Sequence, residues 1–324
     1  MARTLLKGAL ACLGGLILAG CSHSPSPMLW VANGKSQTVE AYSLNGISPT
    51  SSPTLSLSTL QPPNSLAFDA SGDLWVGEGN INGGICSGAL EEFRPPFRNQ
   101  EHPSLSLTTS APITDLAFDA QGNLWTVSFC SPSISASIQS YSAASLQQAN
   151  PSPSLSLGVP SLSIPIGLAF DAQGHLWVSE ESFLGQGLWE YTSLSGGSRP
   201  TQTINLNSAG LLAGVLTGNP ALPGPLAFDR QGNLYTLAMA QHSALPLLEL
   251  APNSTSPTPL FSVQGGSLGL ALDSQGDLWL SAQGEILEYR PPFSASSKPA
   301  LSLPDSQDPR GLAIWPIPSG LPLQ

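Results

Sequence analysis

The stretch Leu66-Ala-Phe-Asp-Ala-Ser-Gly-Asp-Leu-Trp75 decides how this 324-residue chain folds, because the chain repeats it. Four further full copies run over 116–125, 168–177, 226–235 and 270–279. Each copy joins two short apolar runs through Asp-x-x-Gly, in which the Asp accepts hydrogen bonds from the following backbone and the Gly adopts the positive φ that closes a hairpin. Each copy therefore predicts two β-strands joined by a tight turn, and its recurrence indicates a repeat architecture.

Two further runs follow the hairpin in most periods. One is centred on an aromatic residue, as in Leu90-Glu-Glu-Phe93, and the next begins after a proline, as in Pro103-Ser-Leu-Ser-Leu107. The aromatic anchors lie 45, 50, 52, 58 and 44 residues apart at Trp30, Trp75, Trp125, Trp177, Tyr235 and Trp279. That spacing is typical of four-stranded propeller blades, so the sequence predicts an all-β fold.

The two ends of the repeat region complement each other. Met28-Leu-Trp-Val31 is a second strand with no first strand before it, and Gly311-Leu-Ala-Ile-Trp315 is a first strand with no hairpin after it. We expect strand 311–315 to pair with the N-terminal strands, which completes a sixth blade and leaves no open sheet edge. An open solenoid is the alternative, but it would need capping units at both ends. The prediction is a closed six-bladed β-propeller over 28–317, with a tail at 318–324.

The repeated phrase also resembles a known unit. Leu-Ala-Phe-Asp-x-x-Gly-Asn-Leu-Trp-Val is similar to the unit of NHL-repeat propellers, and more broadly to the six-bladed group that includes gluconolactonase-like and strictosidine-synthase-like proteins. The resemblance covers nearly all of 28–315 and implies the fold. Because the shared residues are those that build a blade, it implies little about function.

The N-terminal 20 residues are typical of an export signal. Arg3 and Lys7 precede an uncharged apolar stretch, 8–19, which is too short to cross a bilayer. The stretch ends in Leu18-Ala-Gly-Cys21, which resembles the lipobox of bacterial lipoproteins and implies that Cys21 becomes the lipidated N-terminus. A plainly cleaved signal with Cys21 as a chance thiol is the alternative. Residues 21–27 then form a polar tether, and Ser22 after the Cys implies the outer membrane, facing the periplasm, in a Gram-negative cell.

The charge balance excludes nucleic acid as a partner. Ten basic and 21 acidic residues give a formal charge of −11, and removal of the signal makes it −13. Such a surface offers no footprint for nucleic acid. We expect contact with the membrane only through N-terminal lipid, with palmitate among its acyl chains, and a monomeric folded body.

The repeated aspartates look like a ring of carboxylates, but every copy carries one at the same turn position. We therefore predict that they are turn residues: Asp69, Asp119, Asp171, Asp229 and Asp273. The four histidines are scattered through the tether, an outer-strand approach, a turn and a loop, so no nucleophilic triad is predicted and no catalytic residue is assigned. Streptogramin lyases carry similar Gly-Asn-Leu-Trp phrases, but His175 falls on the opposite face from their catalytic residues.

Residues that differ between repeats are the better candidates for a site. We predict that those flanking the inner strands lie around the central channel, opposite the Asp-Gly turns: Asn33, Asn64, Glu78, Asp115 and Glu180. Carboxylate and amide oxygens are the ligands that Ca²⁺ prefers, and gluconolactonase-like propellers hold a divalent cation there. This chain departs from that family, because Arg310 stands where the family has a metal-binding Glu.

Cys86 and Cys130 are the pair left once the signal and the lipidated residue are set aside. They fall in equivalent loops of consecutive blades in an exported protein, so we expect either a disulfide or two separate thiols. The apolar segment 206–224 departs most from the repeat. It is interpreted either as a cover over the channel or a partner contact, or as a short helix packed on its own blade.

Two functions follow as hypotheses. The first is a lipid-anchored extracytoplasmic propeller that acts as a binding or assembly module for a protein or a small ligand through its loop-bearing face. The second is a metal-dependent hydrolase of lactones or esters, with its site at the channel mouth.

Overall fold

The computed structural model describes residues 26–321 apart from 83, 131–134, 162, 183–184, 207–223, 238 and 267–268. The lipobox, Cys21 and most of segment 206–224 lie outside the described residues. The described chain forms six four-stranded antiparallel sheets. It contains one short helix, Ala143–Leu146 (α1). Among these residues, no helix has the length and apolar character needed to cross a bilayer.

The first three sheets follow chain order except at the termini. Blade one consists of Pro309–Trp315 (β24), Met28–Asn33 (β1), Thr38–Ser43 (β2) and Leu55–Ser58 (β3). Blade two consists of Pro63–Phe68 (β4), Leu74–Asn82 (β5), Ile85–Phe93 (β6) and Leu105–Thr109 (β7). Blade three consists of Ile113–Phe118 (β8), Leu124–Cys130 (β9), Ser135–Tyr141 (β10) and Leu155–Leu157 (β11).

The other three sheets repeat the pattern. Blade four consists of Ser163–Phe170 (β12), Leu176–Ser182 (β13), Gly185–Tyr191 (β14) and Gln202–Asn205 (β15). Blade five consists of Leu226–Phe228 (β16), Leu234–Leu237 (β17), Met239–Leu250 (β18) and Thr258–Gly266 (β19). Blade six consists of Gly269–Leu272 (β20), Leu278–Ala282 (β21), Glu285–Tyr289 (β22) and Leu301–Pro304 (β23).

The predicted closure of the ring is confirmed. Strand β24 pairs antiparallel with β1, so that Ile314 lies opposite Leu29 and Ala313 opposite Trp30. The first strand of each blade contacts the first strand of the next, in the order β24, β4, β8, β12, β16, β20 and back to β24. These six strands line the centre of the propeller, so residues at their ends meet around one channel.

The apolar core lies between the blades, since the inner strands are covered on both faces. The Phe of one Leu-Ala-Phe-Asp phrase packs edge-on against the Trp of the preceding blade. Ring centroids are 5.5 Å apart for Trp30 and Phe68 and 6.3 Å apart for Trp75 and Phe118. The repeated aromatic residues therefore hold neighbouring blades together.

Candidate functional site

The end of the ring that carries the Asp-Gly turns, which we call the turn face, is built by hydrogen bonds within each repeat. Asp119 accepts from the backbone of Gln121 and Asn123, each at 2.9 Å, and from the Asn123 amide at 2.8 Å and the Trp125 indole at 2.9 Å. Gly122 has the left-handed φ of +79° that the turn requires. The predicted structural role of this aspartate is confirmed.

The opposite end, the channel face, holds a cavity of about 590 Å³ among the inner strands of blades one to five. Its polar lining consists of Asn64, Asn80, Thr114, Asp115, Asp308 and Arg310. Its apolar lining consists of Ile81, Pro112, Phe129, Ile166 and Pro225. A concave site with a mostly apolar wall and a few convergent polar groups is the usual form of a small-ligand site.

Arg310 is the cation of this channel cavity. Its guanidinium donates to the Asn64 carbonyl oxygen at 2.6 Å and to the Asp308 carboxylate at 2.9 Å. The guanidinium lies against the backbone of Gly34, where an added Cβ would come within 2.3 Å of Nε. The Asn64 amide nitrogen in turn donates to the backbone oxygens of Gly79 and Ile113 at 3.1 and 3.0 Å. This network fixes the positions of both side chains.

Asp115 supplies the acidic group. Its two carboxylate oxygens accept from the backbone N–H groups of Leu116 and Leu168, each at 2.9 Å. The residue is part-buried in the cavity wall, and burial of its carboxyl raises the pKa of Asp115 to about 7 against the effect of the two amides. The group therefore changes charge near neutral pH.

A divalent cation does not fit this arrangement. The oxygen that Asn64 would offer is taken by the Arg310 guanidinium, a positive group 2.6 Å away. The Asp115 carboxyl lines the same cavity as this guanidinium. Calcium needs six to eight oxygen ligands without a competing cation among them.

The other three predicted site residues lie between blades rather than in the channel cavity. Asn33 is fully buried and donates to Glu40 at 3.1 Å. Glu78 is fully buried, accepts from the Gln61 backbone N–H at 2.9 Å and faces Glu91. Of the five predicted residues, the structure brings only Asn64 and Asp115 together.

Burial governs the protonation of these interblade carboxyls. It raises the pKa of Glu180, which is hydrogen-bonded to Ser163, to about 7. Burial, together with the carboxyl of Glu91, raises the pKa of Glu78 well above its usual range. Protonation of Glu78 avoids placing two buried charges side by side.

Strand length explains why these residues do not lie where the sequence analysis predicted. Strand β5 continues past Glu78 to Asn82 and pairs with β6 throughout, and Glu180 lies inside β13 rather than after it. The expected rim positions are therefore strand positions that face a neighbouring blade. Phe129, Ile166, Thr114 and Asp308 were missed, because no repeated or charged pattern marks a channel wall built from five blades.

The structure joins Cys86 and Cys130 by a disulfide, with their Cα atoms 5.8 Å apart. The bond links the third strand of blade two to the second strand of blade three beside the channel cavity. It therefore fastens together the two blades that supply Asn64 and Asp115.

Comparisons with known proteins show the fold. No protein-family model and no curated protein matches this chain. The periplasmic gluconolactonase PpgL of Pseudomonas aeruginosa superposes with a TM-score of 0.61 at 17% identity, covering 90% of this chain and 86% of that one. A Lactobacillus plantarum protein gives a TM-score of 0.61 at 12% identity, covering 89% and 99%. A Bacteroides uniformis protein, provisionally assigned as a 6-phosphogluconolactonase, gives 0.60 at 12%, covering 89% and 99%.

At these identities, the likeness extends to architecture alone. The chain is an all-β, six-bladed propeller with gluconolactonase-like structural neighbours.

Proposed function

We propose that this chain is a lipid-anchored, extracytoplasmic propeller that binds a small, neutral, hydroxyl-rich molecule in the channel cavity. The observation that carries the proposal is the meeting of Arg310, Asn64 and Asp115 on one cavity of about 590 Å³ that has an apolar wall on its other side. On the turn face, the Asp and Gly of each Asp-x-x-Gly phrase close the turn of their own repeat. Arg310, Asn64 and Asp115, by contrast, come from three different blades and do not recur.

The chemistry of the lining favours a neutral ligand. Arg310 is already paired with Asp308 at 2.8 Å, so its charge is largely balanced and it serves as a hydrogen-bond donor. Thr114 and Asn80 add further polar groups, and Phe129 and Ile166 offer apolar contact. A sugar or a sugar lactone presents hydroxyl groups on its edge and C–H groups on its faces, which suits such a mixed wall.

The export and the anchor are supported by the sequence alone. Leu18-Ala-Gly-Cys21 follows an apolar stretch, and lipidation of the Cys would hold the propeller at a membrane, each buried CH₂ adding about 0.8 kcal/mol. PpgL is described as periplasmic, which agrees with such an address. Labelled palmitate should enter the wild-type chain and should not enter Cys21→Ala; labelling of both, or of neither, would overturn this part of the proposal.

Calorimetric titration with D-glucose and D-glucono-1,5-lactone as neutral probes, and gluconate as an anionic one, tests the binding proposal. We expect the neutral probes to bind and gluconate to bind more weakly. Asn64→Ala and Asp115→Ala should each weaken the neutral probes by about fivefold or more, because each removes a hydrogen bond worth roughly 1 kcal/mol. Gln231→Ala on the turn face is the matched control. Absence of binding, or equal binding by all variants, would contradict the proposal.

Hydrolysis of a lactone is a second candidate, favoured by one observation. Asp115 lies in the cavity as a carboxyl that ionises near neutral pH, which suits a general base. Its carboxylate would take a proton from water as the water oxygen adds to the lactone carbonyl. The ring C–O bond then breaks, and the ring oxygen takes up a proton to leave a hydroxy acid.

Ring opening measured by acid release tests this second function. A rate that increases as pH rises through about 7, survives chelation of metals and disappears in Asp115→Asn would support it. A rate no higher than that of spontaneous ring opening in buffer would contradict the hydrolase function and would leave binding as the proposed function.

A further inference from the structure

A second site lies on the turn face of blade four, remote from the channel cavity. Asp171 belongs to the Asp-x-x-Gly turn, His175 follows that turn, and Glu190 lies on β14 opposite Trp177. The ligand atoms of the three side chains lie within 4.8 Å of one another. The His175 Nδ1 atom is 3.1 Å from Asp171 Oδ2 and 3.2 Å from Glu190 Oε1.

The other blades show what is unusual here. The position of His175 is Asn123 in blade three and Asn233 in blade five, and each of these amides donates to its turn aspartate at 2.8 Å. In blade five the Tyr235 hydroxyl donates to the Glu that corresponds to Glu190. An amide therefore satisfies the repeat, and the imidazole is not required by the turn.

In two further blades an arginine forms an ion pair with the corresponding glutamate. Arg94 pairs with Glu92 at 3.0 Å in blade two, and Arg290 pairs with Glu288 at 2.9 Å in blade six. In blade four a single imidazole nitrogen faces two carboxylates. Asp171 and Glu190 thus share one imidazole nitrogen, whereas in blades two and six the glutamate has an arginine of its own.

The geometry suits a small divalent transition metal. Metal bonds of 2.0–2.2 Å in a tetrahedral site place ligand atoms about 3.4 Å apart, close to the two observed separations. A nitrogen ligand beside two carboxylates favours zinc over calcium or magnesium, which prefer oxygen ligands alone.

Hydrogen bonds hold the Asp171 carboxylate in place. Asp171 Oδ1 accepts from the backbone N–H groups of Gln173 at 2.9 Å and His175 at 2.8 Å, and the Trp177 indole donates to Oδ2 at 3.2 Å. Such contacts orient metal-ligating carboxylates.

The cluster is also accessible. The His175 side chain is 33% exposed, and the three residues line a cavity of about 640 Å³ together with Gln202, Arg230 and Asn253. A metal can enter from this side and keep an open coordination position toward the cavity.

We infer that Asp171, His175 and Glu190 form a three-ligand site for Zn²⁺ or a similar transition metal on the turn face. The site is independent of the function proposed for the channel.

Zinc binding to the whole propeller, measured by calorimetry and by metal analysis after dialysis, tests the site. We expect one zinc per chain. His175→Asn should lower the affinity at least tenfold while keeping the fold, because Asn is the residue that blades three and five carry. Glu190→Gln should have an effect of similar size.

His102→Asn is the matched control, since His102 is an exposed histidine just before β7 in blade two, outside the cluster, and its substitution should leave zinc binding unchanged. Circular dichroism would show that each variant is folded. Absence of zinc uptake by the wild type, or the same affinity in His175→Asn, would overturn the inference.

Discussion

One aspartate lies near the start of strand β8 and a second follows its last residue, and the two have different roles. Asp119, just after the strand at the turn face, accepts four hydrogen bonds from its own repeat and has counterparts in four other blades. Asp115, near the start of the strand, accepts one hydrogen bond across the blade boundary, from Leu168, and lines the channel cavity. In blade three, Asp119 builds the blade, and Asp115 is available for a ligand in the channel cavity.

The largest loss of stability is expected from substitution of the recurring turn aspartate. Asp119→Ala leaves the Trp125 indole and three other donors without their acceptor, and should lower the free energy of unfolding by about 3–5 kcal/mol. Urea denaturation measures it. A loss below about 1 kcal/mol would show that the turn aspartate is not the structural element described here.

The second-largest loss of stability is expected from removal of the disulfide. By the chain-entropy model, a link between residues 44 apart stabilises by about 4 kcal/mol at most, less any strain. The double variant Cys86→Ser, Cys130→Ser should lose about 2–4 kcal/mol. Unreduced mature protein should contain no titratable thiol from this pair, and two free thiols would contradict the bond.

Glu78 should give the protein a pH-dependent stability. Because burial raises the folded-state pKa of Glu78, the folded state binds the proton more tightly than the unfolded chain does. Its contribution is complete below the ordinary pKa of 4.5 and is lost as pH rises toward the folded pKa, by up to about 1.4 kcal/mol per pH unit.

Glu78→Gln mimics the protonated form, and the new amide can still accept from Gln61 and donate to Glu91. Its stability relative to the wild type should therefore increase with pH and should differ least near pH 4. Thermal unfolding across pH measures this trend. Glu101→Gln, at an exposed carboxylate that accepts from the Arg98 amide, should show no such trend. Parallel curves for Glu78→Gln and the wild type would contradict the raised pKa of Glu78.

The smallest change in stability is expected at Arg310. Its side chain is 25% exposed and its partner Asp308 is 48% exposed, so the ion pair contributes about 1 kcal/mol or less. Arg310→Gln should therefore unfold at nearly the wild-type temperature but bind the neutral probes more weakly. A variant that loses stability and keeps its affinity would reverse the distinction between the two ends of the ring.

The sequence was sufficient for the fold and insufficient for the site, for one physical reason. The closure by 311–315, the blade number and the turn aspartates all depend on residues that repeat, and repetition can be read along the chain. The channel cavity depends on how far each strand extends. Because β5 runs on for four residues past Glu78, this side chain faces a neighbouring blade and not the channel. The pairing of Arg310 with Asn64, 246 residues away, leaves no local pattern.

Chemical-shift mapping of the isotope-labelled propeller titrated with D-glucono-1,5-lactone and D-glucose shows which face of the ring binds the ligand. We expect shifts confined to the channel face, at the amides of Gly79, Phe129, Ile166 and Gly167, with the turn glycines Gly122 and Gly232 unchanged. Shifts at the turn glycines with none around Asp115 would contradict this expectation.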